Sequence, residues 1–195
     1  AEELEQAERF YRYLDVDGDH VAARTLPGVH GKGAYFTRGS GHDKYGRYTE
    51  DSDEYVEVMD RLLKKVESAA DAVPAPELHT VEGGSRLGLI SIGGCHWAVL
   101  EARDQLLRDG VQVDYLRVRG FPFSSAVERF IDEHDVVVVV EQNRDEQLRK
   151  LLLLETNCVK QKLESITDYG GQPLSKGVVL EGLAPYLEAL AVEVS

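Results

Sequence analysis

Val136-Val137-Val138-Val139-Val140-Glu141-Gln142-Asn143 is an unbroken β-branched run that stops on three polar residues. A strand with water on one face alternates apolar and polar residues. A strand with no alternation is buried on both faces, as the inner strands of parallel sheets are. Outward from this run, Ser124 to His134 reads as a helix that Ser124 can cap, and Asp145 to Glu155 reads as the helix that follows. Further upstream, Leu87 to Ile92 is a second apolar strand. Gly93-Gly94-Cys95 breaks it, the amphipathic helix Trp97 to Arg108 follows and closes at Gly110, and Val111 to Val118 is the next strand. His79 to Glu82 is a short strand turning at Gly83-Gly84. Val159 to Ile166 is polar enough to be an edge strand, and Ser175 to Leu190 is the closing helix. Strands that alternate with helices imply right-handed βαβ crossovers. The fold class expected for residues 77–195 is therefore α/β, a three-layer α/β/α sandwich on a mostly parallel sheet.

Pro74-Ala75-Pro76 marks the boundary with what precedes it, a helical and loop-rich arm over residues 1–76. Ala1 to Leu14 reads as helical, with Leu4, Ala7, Phe10 and Tyr11 on one side. Asp15 to Gly46 is irregular and rich in glycine. A further helix begins at Asp51, with Asp51 or Ser52 as the candidate N-cap and Val58, Leu62, Lys65 and Val66 along one side. Long irregular loops inside folded proteins are uncommon and are usually functional.

The chain has 195 residues, 43% of them hydrophobic and 29% charged, which are globular values. The net charge is −13, from 35 acidic and 22 basic residues, and this argues against nucleic acid as a partner because phosphate backbones need a basic surface. No run is apolar enough to span a membrane. The two cysteines, Cys95 and Cys158, are far apart, so neither a disulfide framework nor an iron–sulfur or zinc site is expected on this chain. A reducing cytoplasm fits these features. The start at Ala1-Glu2-Glu3, without Met, is compatible with a cut chain.

Several constellations invite chemical readings. Gly93-Gly94-Cys95 sits where Rossmann-type folds cradle phosphate, but the full G-x-G-x-x-G spacing is missing and a plain tight turn is the better reading. Cys95 is a structural thiol by default, because His96 is the one basic neighbour. Ser91, His96 and Asp104 lack a nucleophile elbow and are rejected as a hydrolase triad. His20, His30, His42 and Asp43 match no metal-site spacing. Glu141, Gln142 and Asn143 end the valine strand, and strand ends of open α/β sheets are where functional groups gather. They are candidates for contacts outside the domain, while Asn143 or Asp145 is also a candidate helix cap.

Other residues carry a family resemblance. Tyr13, Asp17-Gly18, Arg24, Pro27-Gly28, Gly41-His42-Asp43, Gly46 and Thr49 resemble, in order and spacing, a segment of the α subunits of 2-oxoacid:ferredoxin oxidoreductases. Ile92-Gly93-Gly94, Phe121-Pro122-Phe123, Glu141-Gln142-Asn143 with Gln147-Leu148, and Tyr169-Gly170-Gly171-Gln172-Pro173-Leu174 resemble the last domain of those subunits. The chain departs from the pattern at Gly41, where the family has Glu, and at Glu146, where it often has Gly.

The resemblance implies a five-stranded mixed sheet of the transketolase C-terminal kind, with residues 79–82 as a short antiparallel strand. It also implies a thiamine diphosphate enzyme, with Mg2+ and a [4Fe–4S] centre, that decarboxylates a 2-oxoacid, 2-oxoglutarate by preference. Electrons would pass to ferredoxin and the acyl group to coenzyme A. The pyrimidine-binding domain would lie upstream in the same subunit, and a β subunit would hold the diphosphate and metal. No catalytic, cofactor or metal residue is then expected here, and the isolated chain should be inactive. Arg24, Arg38, His42, Asp43, Tyr45, Glu141, Gln142 and Asn143 are the candidates for inter-domain or partner contact. Two other readings stay open: a free-standing α/β ligand-binding module, and a protein-assembly module without catalysis.

Overall fold

The computed structural model describes residues 2–37 and 39–192; the candidate contact residue Arg38 lies outside the described residues. The chain divides into two units, Ala1–Ala69 and Ala70–Ser195.

In the first unit, helix α1 spans Glu2–Gln6 and helix α2 spans Ser52–Ser68. The helix expected to reach Leu14 ends at Gln6. The Lys32 ammonium donates to the Glu5 and Ala7 carbonyls, each at 2.9 Å, and so satisfies groups that a continuing helix would have paired. Beyond that point Phe10 packs against Tyr35 with ring centroids 5.8 Å apart, and Tyr11 meets Tyr45 edge-on at 5.1 Å. Ring contacts with the loop thus displace the helical register. Asp51 is the N-cap of α2, its carboxylate accepting from the Asp53 and Glu54 amides at 2.9 and 3.1 Å.

The second unit runs β1 (Glu77–His79), β2 (Leu87–Ile92), α3 (His96–Arg108), β3 (Asp114–Val118), α4 (Ser125–Glu133), β4 (Val136–Glu141), α5 (Gln147–Glu155), β5 (Leu163–Thr167) and α6 (Lys176–Val192). The sheet order is β1-β3-β2-β4-β5; β1 pairs antiparallel with β3, and the other pairings are parallel. This is the expected α/β sandwich, with the five-stranded mixed sheet that the resemblance implied.

Both faces of the sheet are covered. Leu87 and Leu89 of β2 with Val138 and Val140 of β4 pack under α3 and α6, through Val99, Ala102, Val179 and Leu183. Ile90, Leu116, Val137 and Val139 pack under α4 and α5, through Phe130, Ile131, Leu148 and Leu152. The valine run therefore alternates between two apolar layers rather than between oil and water.

Three strand bounds differ from expectation. The antiparallel strand is Glu77–His79 rather than 79–82, because the Val81 amide leaves the ladder to donate to the Asp114 carboxylate at 2.7 Å. β3 starts at Asp114 rather than Val111, because its register partner is Gly88 of β2. The polar start of the expected edge strand is a 3-10 turn, Lys160–Lys162, and β5 begins at Leu163. β5 does lie at the edge.

Candidate functional site

In the first unit, the loop singled out by sequence forms a tight hairpin around Asp43. His42 and Tyr48 pair as an antiparallel bridge, and the Asp43 amide donates to the Arg47 carbonyl at 2.9 Å. The buried Asp43 carboxylate accepts from the Tyr45 and Arg47 amides at 2.9 and 2.8 Å. A short acidic side chain in this position mimics a backbone turn. Gly46 holds φ at +78°, and a Cβ there would meet the Tyr13 ring at 3.1 Å, so both the conformation and the close approach call for glycine. His42 stacks on Tyr13 at 4.1 Å and donates through Nδ1 to the Asp43 carbonyl at 2.8 Å. The imidazole thus has a carbonyl partner within its own hairpin.

Tyr45 lies in the same hairpin, with the Arg47 guanidinium 5.3 Å from its ring centroid. Lys44 reaches Glu57 of α2 at 3.0 Å, and that carboxylate holds its ammonium above the ordinary lysine range. Arg24 is exposed.

At the carboxyl ends of the second unit's strands, Glu141 turns back onto its own domain. It is 2% exposed. Its Oε2 accepts from the Leu148 amide and the Asn143 side chain, both at 2.7 Å, and its Oε1 accepts from the Arg149 amide at 2.9 Å. A carboxylate against free N–H groups at the start of α5 also has the favourable sense of the helix dipole. Glu141 is therefore unavailable for outside contact. Asn143 accepts from the Asp145 and Gln147 amides at 3.0 and 3.2 Å, but the N-cap position of α5 is held by Glu146 rather than by Asn143 or Asp145. Gln142 is exposed, donates to the Gln172 carbonyl at 3.1 Å, and lies 3.2 Å from where a Gly94 Cβ would stand. Gly93–Cys95 is a single 3-10 turn leading into α3. Cys95 is buried, and burial first of all pushes its thiol pKa up, with the Glu141 and Asp168 charges adding to the rise. A raised pKa and lack of access both fit a structural thiol.

Of the rejected triad, Ser91 and His96 meet through the Tyr115 hydroxyl. Ser91 is fully buried with its Oγ 2.7 Å from the Tyr115 hydroxyl, His96 Nδ1 lies 3.0 Å from that same hydroxyl, and Asp104 is exposed. Burial holds the His96 imidazole below its ordinary pKa, helped by the Arg117 charge, so it is neutral at pH 7. Among the described residues, His20, His30, His42 and Asp43 form no group with metal-ligand geometry.

Sequence reasoning missed two features. The Ser91–Tyr115–His96 network joins residues far apart in the chain, and nothing in local pattern signals it. Asp15, Asp17 and Asp19 bring carboxylate oxygens within 4.8 Å of one another, and the alternation Asp15-Val16-Asp17-Gly18-Asp19 was the available signal. Partial burial pushes the Asp15 carboxyl up, but the Gly18 and His20 amides at 2.9 and 3.0 Å outweigh it and leave the pKa lowered.

No protein-family model matches the chain. The 2-oxoacid:ferredoxin oxidoreductase 2 subunit alpha of Aeropyrum pernix is 30% identical over 168 residues, which are 84% of this chain and 25% of that protein. The 2-oxoacid:ferredoxin oxidoreductase subunit alpha of Saccharolobus solfataricus is 26% identical over 149 residues, 74% of this chain and 23% of that protein. Among solved structures, 2-oxoglutarate:ferredoxin oxidoreductase from Magnetococcus marinus, with 2-oxoglutarate, coenzyme A and succinyl-CoA bound, matches with a TM-score of 0.78. That match covers 90% of this chain and 30% of that one at 22% identity, so it speaks for the fold. The chain spans about a quarter of the length of the curated relatives it matches. Over most of its length, then, this chain is a homologue of one stretch of the α subunits of 2-oxoacid:ferredoxin oxidoreductases.

Proposed function

We propose that this chain is the C-terminal part of the α subunit of a cytoplasmic, thiamine diphosphate-dependent 2-oxoacid:ferredoxin oxidoreductase, with 2-oxoglutarate as the preferred substrate. In this reading the whole enzyme forms acyl-CoA and delivers electrons to ferredoxin through a [4Fe–4S] centre. Thiamine diphosphate and Mg2+ sit between upstream domains of the same subunit and a β subunit. Residues 1–76 are an inter-domain arm, and residues 77–195 close the assembly. The chain's own residues fold, dock and position; they carry none of the chemistry.

One observation chiefly supports this. Among the described residues of the first unit, the buried side chains are those of Asp43 and Val58 alone, while Val16, Leu26 and Val29 are 75, 62 and 54% exposed. Apolar surface on a segment with almost no core of its own is the mark of an element that another body covers. At the strand ends, Glu141 and Asn143 accept the first amides of α5, which fits a structural role for that site. Among the described residues no helix is long and apolar enough to cross a membrane, and both cysteines are free thiols.

Calorimetric titration of the isolated chain with thiamine diphosphate and Mg2+ tests the division of labour. No tight, stoichiometric binding, and no 2-oxoglutarate-dependent dye reduction, is the expected result. Stoichiometric cofactor binding by this chain alone would overturn it.

A further inference from the structure

We propose that a cleft in the first unit binds a nucleotide-type ligand, one carrying a planar ring and phosphate groups. The cleft encloses about 320 Å³, within the range of small-molecule sites. Among the described residues, Arg9, Arg12, Lys32 and Arg47 line it, and no carboxylate does. In a chain with 35 acidic residues against 22 basic ones, a cleft lined by one sign of charge is not what composition alone would give. Among the described residues none of these four cations makes an ion pair with a carboxylate. Like charges gathered without counter-charges focus a positive potential into the cleft and repel one another until an anion enters.

The four cations divide by what they already hold. Arg12 donates to the Ala22 and Ala23 carbonyls at 3.4 and 3.3 Å, and Lys32 to the Glu5 and Ala7 carbonyls at 2.9 Å. These two brace the walls and supply field. Arg9 and Arg47 instead lie over the rings of Tyr11 and Tyr45, at 5.2 and 5.3 Å from the centroids. A guanidinium that lies over a ring still has N–H groups with which to grip phosphate through paired hydrogen bonds. The rings of Phe10, Tyr35 and Tyr48 complete the lining and offer faces for a planar group to stack on.

The chain's net charge of −13 opposes a nucleic-acid polymer, and the concave cleft suits a small anion better than an acidic protein segment. The ligand is thus a free nucleotide. The inference rests on the first unit's own geometry and goes beyond the assembly role.

The test is equilibrium titration of the 195-residue chain with ADP, pyrophosphate and adenosine at fixed ionic strength. The same titrations are run on the double variants Arg9→Gln/Arg47→Gln and Arg9→Lys/Arg47→Lys, which spare the wall-bracing cations. ADP should bind more tightly than either pyrophosphate or adenosine, since it has both ring and phosphates. The glutamine variant should weaken ADP about tenfold or more, and the lysine variant should retain more of the binding. The site is overturned if ADP fails to bind at millimolar concentration, if the two variants lose binding equally, or if a polyglutamate peptide binds more tightly than ADP.

Discussion

Glu141 ends an apolar strand, and its two oxygens accept three N–H groups, from Leu148, Arg149 and Asn143. A glutamine in its place would turn an amide N–H toward at least one of these donors and leave it unsatisfied. Glu141→Gln should therefore lose about 1–3 kcal/mol of stability in denaturant unfolding, with no change in the slope. The sequence located this residue at the strand end but could not show which way it faces. Whether a terminal side chain points outward or folds back onto the next helix depends on how that helix docks, which no local spacing records. Tyr115 is a second buried polar residue with a measurable consequence. Burial drives its phenol up to about 12, with the Ser91 hydrogen bond pulling partly against it. The folded-state pKa is the higher one, so this contribution to stability is complete below about pH 10, the unperturbed tyrosine value, and is lost as pH climbs toward 12. Tyrosinate absorbance should show a titration step near pH 12 that Tyr115→Phe removes.

Among the elements, the start of α5 explains a departure from the family pattern. Glu146 sits at φ +53°, a left-handed conformation where glycine, the residue often present in the resembled family, is at ease. Its pair with Arg149 at 2.9 Å is partly exposed and worth under about 1 kcal/mol, comparable with the strain it accompanies. Glu146→Gly should thus stay within about 1 kcal/mol of the parent, while Glu146→Val, β-branched, should lose about 1–2 kcal/mol more in the same unfolding assay. Gly182 lies inside α6, where a Cβ would stand 2.6 Å from Ile166 Cγ1 of β5. Alanine favours helix by about 1 kcal/mol, but overpacking costs about 1–3 kcal/mol, so Gly182→Ala should lower the thermal midpoint. The parallel strands and their helices were legible because their period is set by burial on both faces. The N-terminal helix was misread beyond Gln6 because Phe10 and Tyr11 carry helical spacing yet pack on Tyr35 and Tyr45, partners distant in sequence.

Across the whole molecule the two units differ in what holds them. The second has apolar layers on both faces of its sheet, with Leu89, Ile90, Val138 and Val139 fully buried. The first relies on side-chain-to-backbone hydrogen bonds at Asp15, Asp43, Asp51 and Thr25, with Val58 as its one buried hydrophobic residue among those described. Such bonds contribute about 1 kcal/mol each and do not replace a core. Limited proteolysis of the isolated chain should therefore cut first between residues 15 and 40 and leave the sheet unit as the resistant product. The central claim, that another part of a larger enzyme covers this arm, has a direct measure in amide hydrogen exchange. Exchange is compared between the isolated chain and the same residues in the oxidoreductase assembled with its upstream domains and β subunit. The account predicts that residues 16–29 slow by about a hundredfold or more on assembly, while β2 and β4 keep their rates. Equal exchange of residues 16–29 in both states would contradict it.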